Sequence, residues 1–147
     1  MNSKKGRRFV SHTADVEFIA FGSNRQECFR NALMAMFDTM SYSNKVARLK
    51  SKDVSFTVKD KANSLEDLLW YAMQDTLSIS DSKQLFPYKV SEIAIKEKDG
   101  KYSISMKIAA KAKESAVSKL EVKGVARYNL WVGKARKGIR ATVVLDV

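Results

Sequence analysis

A single cysteine, Cys28, excludes an internal disulfide and any thiolate-rich metal site. A single histidine, His12, likewise removes imidazole-cluster metal sites and every two-histidine mechanism. No apolar run approaches the length that spans a bilayer. The basic residues near the start (Lys4, Lys5, Arg7 and Arg8) are not followed by an apolar stretch of signal-peptide length. The expectation is a soluble, cytoplasmic protein without membrane contact. A Walker-type loop, a Gly-x-Gly-x-x-Gly fingerprint and zinc-ligand spacing are all missing. Cys28 and His12 could be drawn as a reactive pair, but Cys28 falls inside a helical pattern and reads as a small buried residue. The serines near His12 do not suggest a Ser-His-acid triad. The inventory of an ordinary enzyme is lacking.

What remains is an ordinary globular composition. At 147 residues, with 45% hydrophobic and 10% aromatic residues, the chain can bury a real core as one domain over 1–147. It carries a net charge of +11, unevenly spread. Residues 1–81 hold 12 basic and 10 acidic side chains, against 15 and 6 in residues 82–147. A basic half favours nucleic acid or an acidic protein surface. However, no arginine-rich arm and no strand of alternating basic and aromatic residues accompanies it.

Val16 to Phe21 reads as a strand covered on both sides, with Phe18 and Ala20 on one face and Ile19 and Phe21 on the other. Gly22-Ser23-Asn24 breaks it, and Ser23 or Asn24 can cap the next helix, Ser23-x-x-Gln26 being compatible with a capping box. Phe29, Ala32, Leu33, Met36, Phe37 and Met40 share one face of that helix. Residues 41–51 read as a loop, and Val54, Phe56 and Val58 as a strand with one wet face. A second helix starts at Asn63-Ser64, with Ser64-x-x-Asp67 as its box and Glu66 and Asp67 at the favoured end of its dipole. It is the acidic element of a basic protein, and Trp70 lies off its apolar stripe, available to a loop or a partner. Pro87 ends the following loop, and Lys89–Lys98 is a strand with a slipped alternation near Val90 to Ile93. Asp99-Gly100 is a hairpin turn, Tyr102 to Lys111 the clearest strand, and Leu120–Val132 another. Gly133 to Gly138 turns the chain into a last strand, with Ile139, Ala141, Val143 and Leu145 inside and Arg140, Thr142 and Asp146 outside. The order β-α-β-α-β-β-β-β predicts an α+β two-layer fold: a largely antiparallel or mixed sheet with two helices packed on it.

The extremities carry the chemistry. Asp15 stands at the mouth of the first strand, and Asp146 is followed at once by Val147, whose main-chain carboxylate is the chain end. If first and last strands are neighbours, three oxygen anions converge. Like charges that close are costly unless protonated or bridged by a cation, and a hard divalent ion with oxygen ligands is the natural bridge.

These residues also resemble a family. His12-Thr13-Ala14-Asp15-Val16, then Gly22 and Gln26-Glu27-Cys28-Phe29 before Ala32 to Phe37, is similar to the opening of the archease family. Ser64 to Leu69 resembles the family's second helix start, Glu121-Val122-Lys123-Gly124-Val125 its lysine strand, and Leu145-Asp146-Val147 its aspartate-plus-aliphatic end. The resemblance implies no enzyme. It implies a protein cofactor of the RtcB-type RNA-splicing ligase, promoting ligase guanylylation and multiple turnover in tRNA splicing, with tRNA met through the ligase. It also implies a divalent metal site on Asp15, Asp146 and the Val147 carboxylate, typically calcium, with Lys123, Glu27 and His12 in ligase activation. One departure stands out: Ala126-Arg127-Tyr128 replaces the family's usual threonine-tyrosine-histidine.

The competing expectation is a basic RNA-binding or chaperone-like partner of a tRNA-modifying enzyme, using the basic half. It predicts RNA affinity that falls steeply with salt. The ligase reading predicts little affinity for free RNA and a sharp dependence on Asp15. A stand-alone metal-dependent hydrolase would lack a general base beyond the acids themselves.

Overall fold

The computed structural model describes residues 3–10 and 15–147, with the side chains of residues 3 and 4 excepted. His12 lies outside the described residues. A short hairpin, β1 (Ser3–Lys4) and β2 (Arg7–Val10), turns at Gly6 and leads into β3 (Asp15–Gly22). The sequence pattern did not reveal this hairpin. Helix α1 (Arg25–Met40) and the single turn α2 (Ser43–Val46) follow, then β4 (Val54–Ala62) and helix α3 (Leu65–Ser82). The long hairpin β5 (Leu85–Lys98) and β6 (Lys101–Ala112) leads through a 3₁₀ turn to β7 (Gly124–Val125), β8 (Trp131–Ala135) and β9 (Gly138–Asp146).

The expected α+β class holds, with the antiparallel strands divided between two sheets. One runs β1-β2-β3-β9-β7, with β8 also paired to β9; the other runs β4-β6-β5. Helix α1 packs on β3 and β9 of the first sheet and on β5 of the second, while α3 packs on β4, β5 and β6 and touches β7 and β8. The helices therefore join the sheets. This position explains why α1 buries more than its expected stripe: Cys28, Ala35, Asp38 and Thr39 are buried beside Phe29, Leu33, Met36 and Phe37. Asp38 is the charged member, 5% exposed, and the Arg7 guanidinium pairs with its Oδ2 at 2.8 Å.

Local chemistry sets the element ends. Asn24, rather than Ser23, caps α1: its Oδ1 accepts the Glu27 N–H at 2.9 Å, and the Glu27 carboxylate accepts from Ser23 N–H and Ser23 Oγ. The cap thus runs from Glu27 N–H to Asn24 while the Glu27 carboxylate reaches back to Ser23, one residue before the cap, so the expected Ser23–Gln26 box is replaced by a cap one residue further on. Ser64 caps α3 as expected, its Oγ accepting from Asp67 N–H at 3.1 Å. Asp99 (φ 54) and Gly100 (φ 74) make the β5–β6 turn with two consecutive left-handed residues, as a two-residue hairpin requires.

Three expectations need correction. Pro87 does not close a loop; it lies inside β5 opposite Ala110. It is tolerated there because β5 is an edge strand and its register shifts directly after the proline. Leu120–Val132 is not one strand, since β7 and β8 are separate segments on the same edge of β9, parted by a loop in which Asn129 has φ 58. Of Gly133 to Gly138, only Arg136 and Lys137 turn; Gly133 to Ala135 belong to β8. The second shift in β5, between Val90 and Glu92, falls where the alternation slips in the sequence.

Candidate metal and partner site

Strand β3 pairs antiparallel with β9 over their whole lengths, in a register that sets Asp15 against Asp146, Val16 against Leu145 and Phe18 against Val143. Directly opposed residues project from the same face, with Cβ atoms about 5 Å apart. Phe18, Val143 and Leu145 face the core and are fully buried, so both aspartates project from the other face of the sheet. Among the described residues, neither carboxylate has a side-chain hydrogen bond or salt bridge to a cation. Two like charges opposed across a ladder are destabilising. The arrangement therefore fits a hard cation: oxygen donors, opposed positions and, among the described residues, no competing protein cation. Among the described residues no three His, Cys, Asp or Glu side chains gather into a metal cage. Among these residues the side-chain offer is this pair, and Val147 follows Asp146 directly, its side chain packed against the core.

On the far side of Asp146 lies β7. Gly124 pairs with Asp146, and the Lys123 N–H donates to the Asp146 main-chain oxygen at 2.7 Å. The Lys123 side chain is exposed. Asp15, Asp146 and Lys123 thus lie on three adjacent segments of one sheet. Glu27 does not join them. It sits in the first turn of α1, beyond the Gly22 end of β3, roughly 24 Å along the strand from Asp15, and its carboxylate is engaged in capping.

The lysine segment is held by α3 in a way the sequence did not reveal. Glu66, Trp70 and Gln74 recur every four residues along one side of that helix and grip the backbone from β7 to β8. Gln74 Oε1 accepts the Val125 N–H at 3.0 Å, Trp70 Nε1 donates to Val125 O at 2.7 Å, and Glu66 accepts the Val132 N–H at 3.0 Å. These side chains stand in for a neighbouring strand where β7 and β8, the outer segments on this edge of the sheet, have no further one beside them. Trp70 therefore serves a loop of its own chain. Arg127, in the triplet departing from the family pattern, stacks 4.0 Å from the Trp70 ring and meets Asp67 at 2.7 Å. The only signal in the sequence was the spacing of three polar-capable side chains beside the apolar stripe.

Cys28 is fully buried, and burial, with a smaller contribution from the Glu27 charge, pushes its thiol up to about 12. Its Sγ lies 3.7 Å from Ala20 O as a weak donor. It is a core residue and not a nucleophile.

A small α+β domain whose two sheets are joined by two long helices, with a carboxylate pair between its first long strand and its last, is the class these observations define. The sequence profile of the Archease protein family matches residues 8–147, and the chain belongs to that family. It is 30% identical over 145 residues to the archease of Methanosarcina acetivorans and 32% identical over 146 residues to that of Methanosarcina mazei, with 97% of each chain covered in both cases. Its fold is similar to the solution structure of Methanobacterium thermoautotrophicum protein 1598, with TM-score 0.81 and 26% identity over 98% of this chain and all of that one. It is also similar in fold to the crystal structure of an archease described as a possible chaperone from Thermotoga maritima (TM-score 0.59, 16% identity, 100% of this chain and 98% of that one). No described helix is long and apolar enough to cross a membrane.

Proposed function

We propose that this archease-family protein is a non-catalytic cofactor of an RtcB-type RNA-splicing ligase in the cytoplasm, promoting ligase guanylylation and multiple turnover in tRNA splicing. Asp15 and Asp146 hold one divalent cation with hard oxygen preference, calcium by the family resemblance, with the Val147 carboxylate as a third ligand. The observation that carries this reading is the direct opposition of Asp15 and Asp146 across β3 and β9. A divalent ion at such a site supplies charge neutralisation and orientation for nucleotide phosphates. The chain's own part is to present the two carboxylates from a rigid ladder. Lys123, one residue beyond the β7 contact with Asp146, offers an ammonium to a phosphate or a ligase carboxylate. His12 and Glu27 are the remaining residues assigned to activation by resemblance, Glu27 by securing the start of α1.

The test is guanylylation of the matching ligase, with and without this protein. Loss of stimulation is expected in Asp146→Ala, in Asp15→Ala, and in a chain extended past Val147. Normal stimulation by any of the three would remove the cation site from the mechanism.

A further inference from the structure

Strand β3 was expected to be covered on both faces, but its outward face is exposed at the Phe21 end, while Val144 on the same face near the Asp146 end is buried. The outward face of its sheet carries Ile19 and Phe21, the latter 36% exposed, and no helix lies over it. Phe21 is opposite Arg140 on β9, and Arg140 is opposite Gly133 on β8. Two pairs along, and so on the same face, Trp131 is opposite Thr142 and is 41% exposed. A Cβ at Gly133 would fall 2.4 Å from the Trp131 ring, so the indole lies along β8 over the glycine. The Arg140 guanidinium stands 5.1 Å from the indole centre. Lys134, Arg136 and Lys137, all exposed, complete with Phe21 and Arg140 the rim of an open cleft of about 490 Å³. No acid lines it. The acids of this face (Asp15, Glu17 and Asp146) are gathered at its other end.

We propose that this basic and aromatic platform binds a short segment of single-stranded RNA. A flat indole and a phenyl ring on an open sheet are stacking surfaces for unpaired bases. The cations beside them neutralise the phosphates between stacked bases. An acidic peptide would satisfy the cations but has no use for two flat rings. A duplex presents its phosphates but hides the faces of its bases. The acidic end of the same face repels a phosphate backbone, which confines the strand to two or three nucleotides over Phe21, Trp131 and Arg140. Choosing RNA over DNA rests on the ligase reading; the platform itself does not. The fold assembles from β3, β8 and β9 what no single strand of the sequence displays. It also makes compatible two functions that the sequence set as rivals, because the carboxylate pair and the platform occupy opposite ends of one surface.

The experiment is fluorescence anisotropy on the full chain without ligase, using a labelled single-stranded RNA dodecamer, its duplex and the same sequence as single-stranded DNA. Expected is preferential binding of the single-stranded RNA, with a salt slope of about −2 for some three phosphates. Trp131→Ala should weaken it at least about fivefold, the lower limit for losing one stacked base. Trp131→Phe should restore much of the loss, and Arg140→Gln should lower both affinity and salt slope. Thermal unfolding of each variant separates lost binding from lost fold. Equal affinity for the duplex, preference for DNA, no binding at high micromolar protein, or indifference to Trp131→Ala would each overturn the proposal. Loss of ligase stimulation in Trp131→Ala without RNA binding by the parent would mark a ligase-docking surface instead, and also overturn it. Asp146→Ala should bind the RNA at least as tightly as the parent does, since it removes one repelling acid, so failure of the cation site and failure of this platform give different results.

Discussion

Asp15 and Asp146 are direct cross-strand neighbours, each the terminal residue of its strand, so the first long strand and the last close the sheet with two carboxylates side by side. Removing one charge should relieve repulsion when no cation is present. Asp146→Asn is expected to stabilise the metal-free protein by about 0.5 kcal/mol, the scale of a cross-strand charge pair. Calcium should reverse the ranking. At a hundredfold excess over Kd it contributes about 2.7 kcal/mol to the parent, or about 8 °C in Tm for a domain of this size, and nothing to the variant. Thermal unfolding in chelator and in calcium reads both effects. An equal calcium shift in Asp146→Asn would place the ion elsewhere.

The α3 clamp makes a second expectation. In Gln74→Met the Val125 N–H loses its side-chain acceptor while the helix keeps a good helix former. A stranded, partly buried donor costs about 1–2 kcal/mol. The loss should be local. Amide exchange should quicken at Val125 and its neighbours, including Lys123, while α1 and the β5–β6 hairpin keep their protection. Unchanged exchange at Val125 would show that the clamp does not hold the lysine segment.

The two acids were legible in the sequence as strand-end residues because each closes an apolar run, and the final strand's inner set of Ile139, Ala141, Val143 and Leu145 fixes which way Asp146 points. That their strands are neighbours was a condition the sequence left open, and the ladder supplies it. Period-two alternation reports a face and not a sheet, so the division into two sheets was not visible. The same limit joined β7 to β8: Val122, Leu130 and Val132 keep their parity across a loop, while Val125 and Val132 on either side of it bond to Trp70, Gln74 and Glu66, and partners 51 to 66 residues away leave no local mark. Pro87 read as a terminator because an edge strand is recognisable only once its neighbours are known. Phe21 read as buried because an apolar run does not say which of its sides a helix will cover.

Stability should also depend on pH through Asp60. Its Oδ2 is buried without a hydrogen-bond donor. Burial first, then the hydrogen bond and the negative charge of Asp75 on α3, push its carboxyl from 3.8 up to about 7. A raised acid binds its proton more tightly in the folded chain than in the unfolded one. Its stabilising contribution is therefore complete below about pH 4 and is lost as pH rises through 7. Tm should fall between pH 5 and 8 in the parent, and Asp60→Asn should flatten that slope. A slope identical in the two proteins would assign the pH dependence to other groups.

The opposite end of the β3–β9 ladder offers a test of packing against conformation. Gly138, with φ +105, opens β9, and a Cβ there would lie 2.2 Å from the Gly22 carbonyl oxygen. Gly22 is itself closed in, since a Cβ on it would lie 2.2 Å from the backbone nitrogen of Cys28 in α1. Strand, turn and helix therefore meet backbone to backbone, with no flexible side chain able to give way. Gly100 has a similar positive φ of +74, yet a Cβ there would meet nothing within 4 Å. Gly100→Ala should accordingly cost about 1 kcal/mol, the penalty of the backbone conformation alone. Gly138→Ala carries that penalty and a backbone clash, and should exceed about 2.5 kcal/mol. Urea unfolding should show both as shifts in midpoint at constant m, the second more than twice the first. Gly138 is about as far from Asp146 as the strand allows, roughly 27 Å, so the calcium shift of any folded Gly138→Ala protein should match the parent's. Equal costs for the two alanines would mean that β9 can withdraw from Gly22, and that the α1 end of the ladder is looser than its contacts imply.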